Sequence, residues 1–377
     1  MNYTFDQLSQ TINQWLLLED QGLIKILVAS LLVNRLPDDP VWLIIVAPPG
    51  SAKTELLRGL KDLDKIYFIS DLTEQTLLSG DRQNKNASLL HRIPDNSILI
   101  LKDFSTVLSM NPEKQATILA QLREIYDGFF SKEFGTGESK KWRGKLGLIA
   151  AATSAIDKRW SVYQSLGERF IQYRPCLPDP FKVAKQAIDN TGKEEFLRSE
   201  INSAYTRFFS QDFGEAPALT APFVENVIHL AAFTVRARST VGRDGYSREI
   251  DFIPQPESPA RLSKQLIGLA KGLALISGKY TNEDYQLIFK VGMDSIPQKR
   301  KAVILCLPYT PGASLAEIAA HIGYPTNTTR KTLEELCALK IIVRSGGGRG
   351  AREVWSLHPE VAAFFNQFSP DCTGGTL

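Results

Sequence analysis

Residues 47–54 read APPGSAKT. Two residues separate this string from the phosphate-loop pattern G-x-x-x-x-G-K-[ST]. Lys53 and Thr54 are in place, while Ala47 and Ala52 stand where the pattern has glycine. Upstream, VWLIIVA (41–47) is a continuous apolar run rich in β-branched residues. Such a run is expected of a strand covered on both faces of a parallel sheet. Downstream, ELLRGL (55–60) begins a helix.

A strand that delivers the chain to a tight turn can aim its backbone N–H groups at phosphate oxygens, and a helix start adds its positive end. A lysine then supplies a point charge for the β and γ phosphates, and a threonine hydroxyl binds Mg²⁺. Pro49, Gly50, Ser51, Ala52, Lys53 and Thr54 are therefore the candidate ATP-binding residues. Gly50 occupies the turn, where backbone freedom matters most. Ala47 is still strand-like and harmless. Ala52 is tolerable if its φ is negative, as at a helix start. Two other readings stand beside this one: a Pro/Gly turn with an incidental lysine, and a site that folds but hydrolyses poorly.

Further strands are expected at KIYFIS (65–70), SILILKDF (97–104) and LGLIAAAT (146–153), with helical stretches near 73–79, 86–92 and 111–126. This alternation predicts an α/β core with a parallel sheet. Two helices are expected before it, over 5–19 and 21–35. Residues 181–300 read as almost wholly helical, apart from an irregular basic stretch at 236–260. The expected division is 1–36 (helices packed on the core), 37–180 (nucleotide-binding core), 181–300 (helical lid), 301–368 (a winged helix) and 369–377 (tail).

The second acidic feature is SILILKDF. A metal-binding Asp, usually followed by Glu, is expected at such a strand end. Here only Asp103 is acidic, between Lys102 and Phe104. If Asp103 holds the metal, Phe104 replaces the catalytic Glu. If Asp103 is the catalytic acid, Lys102 replaces the metal Asp. An Asp after a strand also serves as a helix cap.

The order of these motifs resembles that of AAA+ ATPases, and most of all the minichromosome-maintenance (MCM) helicase group, over roughly residues 20–300. APPGSAKT resembles the Walker A loop, and ASLLHRIPDNSILILKDFSTVL (87–108) the stretch leading into Walker B. QLREIYDGFFSKEFGTGESKKWRGKLGLIAAATS (121–154) resembles the helix, β-hairpin and sensor 1 strand. The resemblance implies a sensor 1 role for Thr153. It implies an arginine finger at Arg169, within SLGERFIQYRP, and a sensor 2 arginine at Arg261, within SPARLSKQLIGLAKGLAL. Two alanines, the KDF motif and Thr in place of Asn at sensor 1 depart from the pattern, and that group's N-terminal DNA-binding domain is not matched. What is implied is an ATPase that forms an oligomer, expected to be a ring, and acts on DNA.

The arginines also have plainer readings. Arg169 is a candidate for an ion pair with Glu168 or another acid. Arg261 follows Ser258-Pro259, which reads as N-cap and first helical residue, and stands beside a stripe of Leu262, Leu266, Leu269 and Leu273. There it would be a solvated charge.

Residues 129–149 read as a hairpin whose Lys140, Lys141, Arg143 and Lys145 surround Trp142. Cations around an aromatic suit a nucleic-acid backbone and a stacked base, and a charged hairpin edge that resists aggregation looks the same in sequence. Over 313–356 the pattern is helix, turn, helix, then two strands around a Gly-rich tip, which resembles a winged helix-turn-helix. Arg330 and Lys331 stand early in the second helix, where recognition helices touch DNA, and the wing carries Arg344, Arg349 and Arg352. Six Lys/Arg oppose three Glu over 326–356. Protein contact is the alternative use of such a module.

With 377 residues, 43% hydrophobic and 23% charged, the chain is an ordinary globular protein of two or three units. Its net charge of +3 carries no nucleic-acid argument. Cys176, Cys306, Cys337 and Cys372 show no C-x-x-C or zinc-site spacing. The opening MNYTFDQLSQ is no signal peptide, and the apolar run LIKILVASLLV contains Lys25 and is too short to span a bilayer. A cytoplasmic protein with free thiols and no membrane partner is expected.

Overall fold

A computed structural model of the chain describes residues 3–81, 87–135, 137–159, 169–253, 255–346 and 352–368. The chain divides into two compact units: residues 1–219 with 267–287, and residues 220–266 with 288–377.

The first unit begins with α1 (Phe5–Leu16) and α2 (Gln21–Val33). Thr4 caps α1 in a reciprocal capping box with Gln7. Ten residues of α2 are buried, so it is a core helix and not a surface amphipath. The buried Asn34 ends it: its amide donates to the Ser30 and Val41 carbonyls and its Oδ1 accepts from the Val41 N–H. One side chain thus fixes the entry into β1 (Trp42–Val46). Then come α3 (Lys53–Arg58), β2 (Ile66–Ile69), α4 (Leu89–Arg92), β3 (Ser97–Leu101), α5 (Ser105–Leu108), α6 (Pro112–Tyr126), β4 (Phe129–Glu133), β5 (Ser139–Arg143), β6 (Leu146–Ala152), a 3₁₀ turn (Ser154–Arg159) and β7 (Phe170–Tyr173). Two further helices, α7 (Pro180–Asp189) and α8 (Glu194–Phe209), follow.

β1, β2, β3, β6 and β7 form a five-stranded parallel sheet in the order β2-β3-β6-β1-β7. Every residue of β1, β3 and β6 is buried, which accounts for their unbroken apolar runs. One face carries a continuous cluster that includes Trp42, Ile44, Leu99, Phe104, Ile118, Leu122 and Phe130. The buried Trp42 indole donates to the Leu146 carbonyl at 2.7 Å. The order reverses at β1, which lies between β6 and β7, and ligands bind at the carboxyl ends of strands beside such a reversal.

The helix expected near 73–79 is absent. Thr73 N–H and Oγ1 both bond Thr76 Oγ1 at 2.9 Å, so the side chains take the backbone into turns instead. The helix expected over 86–92 shrinks to α4.

The second unit contains α9 (Ala221–Arg238), β8 (Gly242–Arg243) and β9 (Ile250–Phe252). Next comes α10 (Ala260–Ser277), whose later turns belong to the first unit, as does the start of α11 (Asn282–Asp294). Then follow α12 (Gln298–Cys306), α13 (Leu315–Ile322), α14 (Thr326–Ala338), β10 (Ile342–Ser345), β11 (Val354–Leu357) and α15 (Pro359–Phe368). Phe233, Phe289, Phe364 and Phe365 pack as an aromatic cluster. α13 starts in a capping box between Ser314 and Glu317 and stops at Gly323, in the left-handed region. Among the described residues no helix is long and apolar enough to cross a membrane.

Candidate functional site

The loop 47–54 leaves the carboxyl end of β1 and enters α3. Gly50 has φ +77°. Ala52 has φ +58°, which corrects the expectation of negative φ there. The turn demands a left-handed residue at this point, as the glycine of the usual pattern would provide, and Ala adopts it at a cost of about 1–2 kcal/mol.

Lys53 is 8% exposed. Its Nζ donates to the Ala47 and Pro48 carbonyls, each at 2.6 Å, and to Ser51 Oγ at 3.0 Å. Burial lowers its pKa, and the nearby Asp103 charge works in the opposite sense. The ammonium is thus held inside the loop, over the strand end.

The neighbouring strand ends converge on the same place. A cleft of about 460 Å³ is lined by Pro49 through Glu55, Lys102, Asp103, Ala151, Ala152 and Thr153. All six loop candidates, Asp103 and Thr153 are therefore together. Asp103 Oδ1 accepts from Ser105 N–H at 2.8 Å, closing the turn into α5, although the N-cap residue of that helix is Phe104, with no side-chain cap. Ser105 Oγ lies 3.3 Å from Thr153 Oγ1 and accepts from Thr153 N–H at 3.2 Å, tying the ends of β3 and β6. Phe104 is fully buried, with its ring 5.4 Å from that of Phe170 and its N–H donating to the Ala151 carbonyl at 2.7 Å. Position 104 therefore faces the core. Of the residues 102–104, Lys102 and Asp103 line the cleft.

Glu55 also lines it. Burial pushes its pKa up, but Arg198 and Arg58 outweigh that and hold it below the ordinary value. Its carboxylate is engaged by Arg198 at 2.8 Å and by Arg58 at 2.5 Å.

A second cleft of about 300 Å³ adjoins the loop and shares Pro49, Gly50, Ser51 and Ala52 with the first. Leu16, Leu17, Leu18, Pro178, Val183 and Ala187 contribute to its apolar wall. Sequence reasoning missed these residues. The proline-rich PCLPDP before α7 is the local signal, since it turns the chain back towards the loop.

Arg169 is nearly buried, its guanidinium 2.7 Å from Asp127 and 5.8 Å from the Tyr126 ring centroid. The ion-pair reading holds with Asp127 as partner, and Glu168 lies outside the described residues. Arg261, in the second unit, pairs with Glu257 at 3.5 Å. Ser258 Oγ accepts from Ala260 N–H at the start of α10, and the expected leucine stripe is buried.

Strand alternation splits the hairpin cations. Trp142 packs against the core of the first unit and Lys140 Nζ reaches the Asp81 carbonyl at 3.2 Å, while Lys141 and Arg143 are exposed on the other face. Phe129, opposite Arg143 and 44% exposed, is the aromatic on that open face. Lys145 is withdrawn altogether, donating to the Leu36 carbonyl at 2.6 Å. In the second unit Arg330 and Lys331 are exposed on α14. Arg344 pairs with Glu353 at 3.0 Å and Arg352 pairs with Glu317 at 2.5 Å. Arg349 lies outside the described residues.

Cys176, Cys306 and Cys337 are free thiols, and Cys372 lies outside the described residues. No group of three His, Cys, Asp or Glu able to hold a metal occurs among the described residues.

No protein-family model matches the chain, and no curated protein matches it. Among solved structures it is similar to two apo structures of the NrS-1 C-terminal region. One is 11% identical with a TM-score of 0.27, covering 95% of this chain and 76% of the other. The other, of residues 305–718, is 9% identical with a TM-score of 0.28, covering 94% and 76%. Likeness at this level carries no functional argument.

Proposed function

We propose that the chain is an ATP-binding P-loop protein of the AAA+ type that hydrolyses ATP, assembles as an oligomer and acts on DNA. The observation that carries this reading is the convergence of Lys53, Thr54, Asp103 and Thr153 in one cleft at the carboxyl ends of β1, β3 and β6. In this reading Lys53 exchanges its loop carbonyls for phosphate oxygens, and the apolar second cleft takes the base. Thr54 and Asp103 fit a hard cation by their oxygen donors. These two residues would hold Mg²⁺, whose charge would offset that developing on the transferred phosphate. Thr153 positions the attacking water. The resemblance to MCM proteins adds ring assembly, with Arg169 reaching a neighbour's site after leaving Asp127, and Arg261 sensing nucleotide. Residues 313–356 act as a winged helix through Arg330 and Lys331, with Lys141 and Arg143 as a second basic surface.

Among the described residues two acids line the cleft: Glu55 is held by two arginines, and the Asp103 carboxylate accepts only a backbone N–H from Ser105. Asp103 serves either the metal or the attacking water, and Phe104 offers nothing to the other task. This observation favours a second reading, a nucleotide-dependent DNA-binding switch with little turnover. Titration of a fluorescent ATP analogue, with phosphate release measured alongside and without DNA, tests both. Lys53→Ala should abolish binding, and unchanged binding would overturn the assignment. Asp103→Asn should keep nucleotide bound while turnover falls. Absence of turnover in the wild type, with binding intact, selects the switch.

A further inference from the structure

The β8–β9 hairpin has no part in the function proposed so far. Its tip, residues 244–249, is a built structure. Asp244 Oδ1 accepts from the Tyr246 and Ser247 N–H groups at 2.9 and 2.6 Å, and Arg248 N–H donates to the Asp244 carbonyl at 3.1 Å. Arg248 sits at φ +63°. On this ordered tip Tyr246 is 99% exposed. An aromatic ring in that position supports no packing of its own unit.

Arg243, at the hairpin base, fixes the tip against α14. Its guanidinium donates to the Arg248 carbonyl and to the Lys331 carbonyl, each at 2.8 Å. It also pairs with Glu334 at 3.1 Å and Glu335 at 3.2 Å. Arg300 binds Glu335 as well, at 3.0 Å. A single guanidinium therefore joins the backbone of Arg248 to that of Lys331, and the two α14 carboxylates facing it are neutralised. Arg248, Arg330 and Lys331 remain exposed. The exposed acids of the hairpin are Asp244, committed to its own turn, and Glu249 and Asp251.

We propose that the tip of the β8–β9 hairpin and the start of α14 form one surface for DNA that carries unpaired bases beside a duplex. Arg330, Lys331 and Arg248 hold phosphates, and Tyr246 stacks on an unpaired base. A planar ring needs an exposed base face, which an intact duplex does not offer along its length, whereas a single strand does. The inference rests on the DNA-binding reading of α14 given above.

Fluorescence anisotropy with a blunt DNA duplex and the same duplex bearing a single-stranded extension tests it, over a range of salt. The wild type should favour the extended DNA. Tyr246→Ala should remove that preference, with a loss of about 5- to 100-fold, and Tyr246→Phe should keep it. Arg248→Ala should weaken both DNAs and lower the salt slope by about one. Phe252→Ala, at the open end of the hairpin, should change nothing. If Tyr246→Ala retains the full preference, the hairpin proposal is wrong. In that case a loss of duplex affinity in the Arg330→Ala/Lys331→Ala double variant still upholds α14 as the DNA-binding helix. If the wild type binds neither DNA, both readings fall.

Discussion

Arg169 and Asp127 form an ion pair of 2.7 Å within one chain, the guanidinium nearly buried and the carboxylate about half exposed. A finger serving a neighbouring subunit must leave this pair, so the same arginine has a structural and a proposed catalytic task. Removing the carboxylate takes a short ion pair away from a nearly buried guanidinium. A fully buried pair broken in this way costs about 3–5 kcal/mol, and the exposure of Asp127 reduces the expectation to about 1–2 kcal/mol.

The first prediction follows. Asp127→Asn lowers stability to urea by that amount and leaves ATP binding intact. Arg169→Ala lowers stability similarly and also suppresses turnover, by up to about 10³-fold if it acts as a finger. Equal turnover in Arg169→Ala and wild type at matched folded fraction would assign Arg169 to structure alone.

Ala52 gives a second prediction. Its φ of +58° is the region that only glycine enters freely. Ala52→Gly relieves about 1–2 kcal/mol of left-handed strain and loses about 0.4–1 kcal/mol through the freer unfolded chain. The net expectation is a gain of about 0–1.6 kcal/mol, read from the denaturation midpoint. A destabilised Ala52→Gly variant means that the loop does not hold position 52 in this conformation.

A third concerns the contact of α10 with α2. A Cβ on Gly272 would meet the Ala29 carbonyl oxygen at 2.3 Å, whereas one on Gly268 would touch only the Cγ2 atoms of Val33 and Val41 at 3.3 Å. Backbone cannot step aside as a methyl group can. Gly272→Ala is expected to cost about 1–3 kcal/mol, with Gly268→Ala clearly milder. Equal thermal shifts for the two variants would show that the helices separate freely at Gly272.

Much of the first unit was legible because parallel strands covered on both faces leave unbroken apolar runs. VWLIIVA, SILILKDF and LGLIAAAT each contain the strand observed, trimmed at the ends. The convergence of Lys53, Asp103 and Thr153 was readable for the same reason, since each follows the end of such a run. What stayed hidden depends on long-range geometry. Sequence could not tell which residue of 102–104 faces the core until Phe104 met Phe170. An ion-pair partner of Arg169, Asp127, stands forty-two positions upstream. The hairpin cations read as one patch in sequence, and only pairing register separates Lys141 and Arg143 from Lys140 and Trp142. Nor does composition reveal that residues 267–287 return to the first unit, which Lys25 secures there through the buried Asp284 at 2.8 Å.

Lys145 supplies the last prediction. Burial pushes its pKa down from 10.5 to about 8, against the opposing charges of Asp38, Asp39 and Asp95. Below about pH 8 both folded and unfolded chains carry the proton, and the folded state bears the full cost of a desolvated ammonium. Between about pH 8 and 10.5 the folded chain releases the proton while the unfolded chain keeps it. The unfolded state then binds more protons, so this group makes stability rise with pH across that window and level off above it. Lys145→Met has no such proton to release. Urea denaturation of both proteins through the window should show the wild type gaining on the variant as pH rises. Parallel stability curves would mean that Lys145 titrates as an ordinary lysine, and that the Leu36 carbonyl holds its ammonium without the cost of burial.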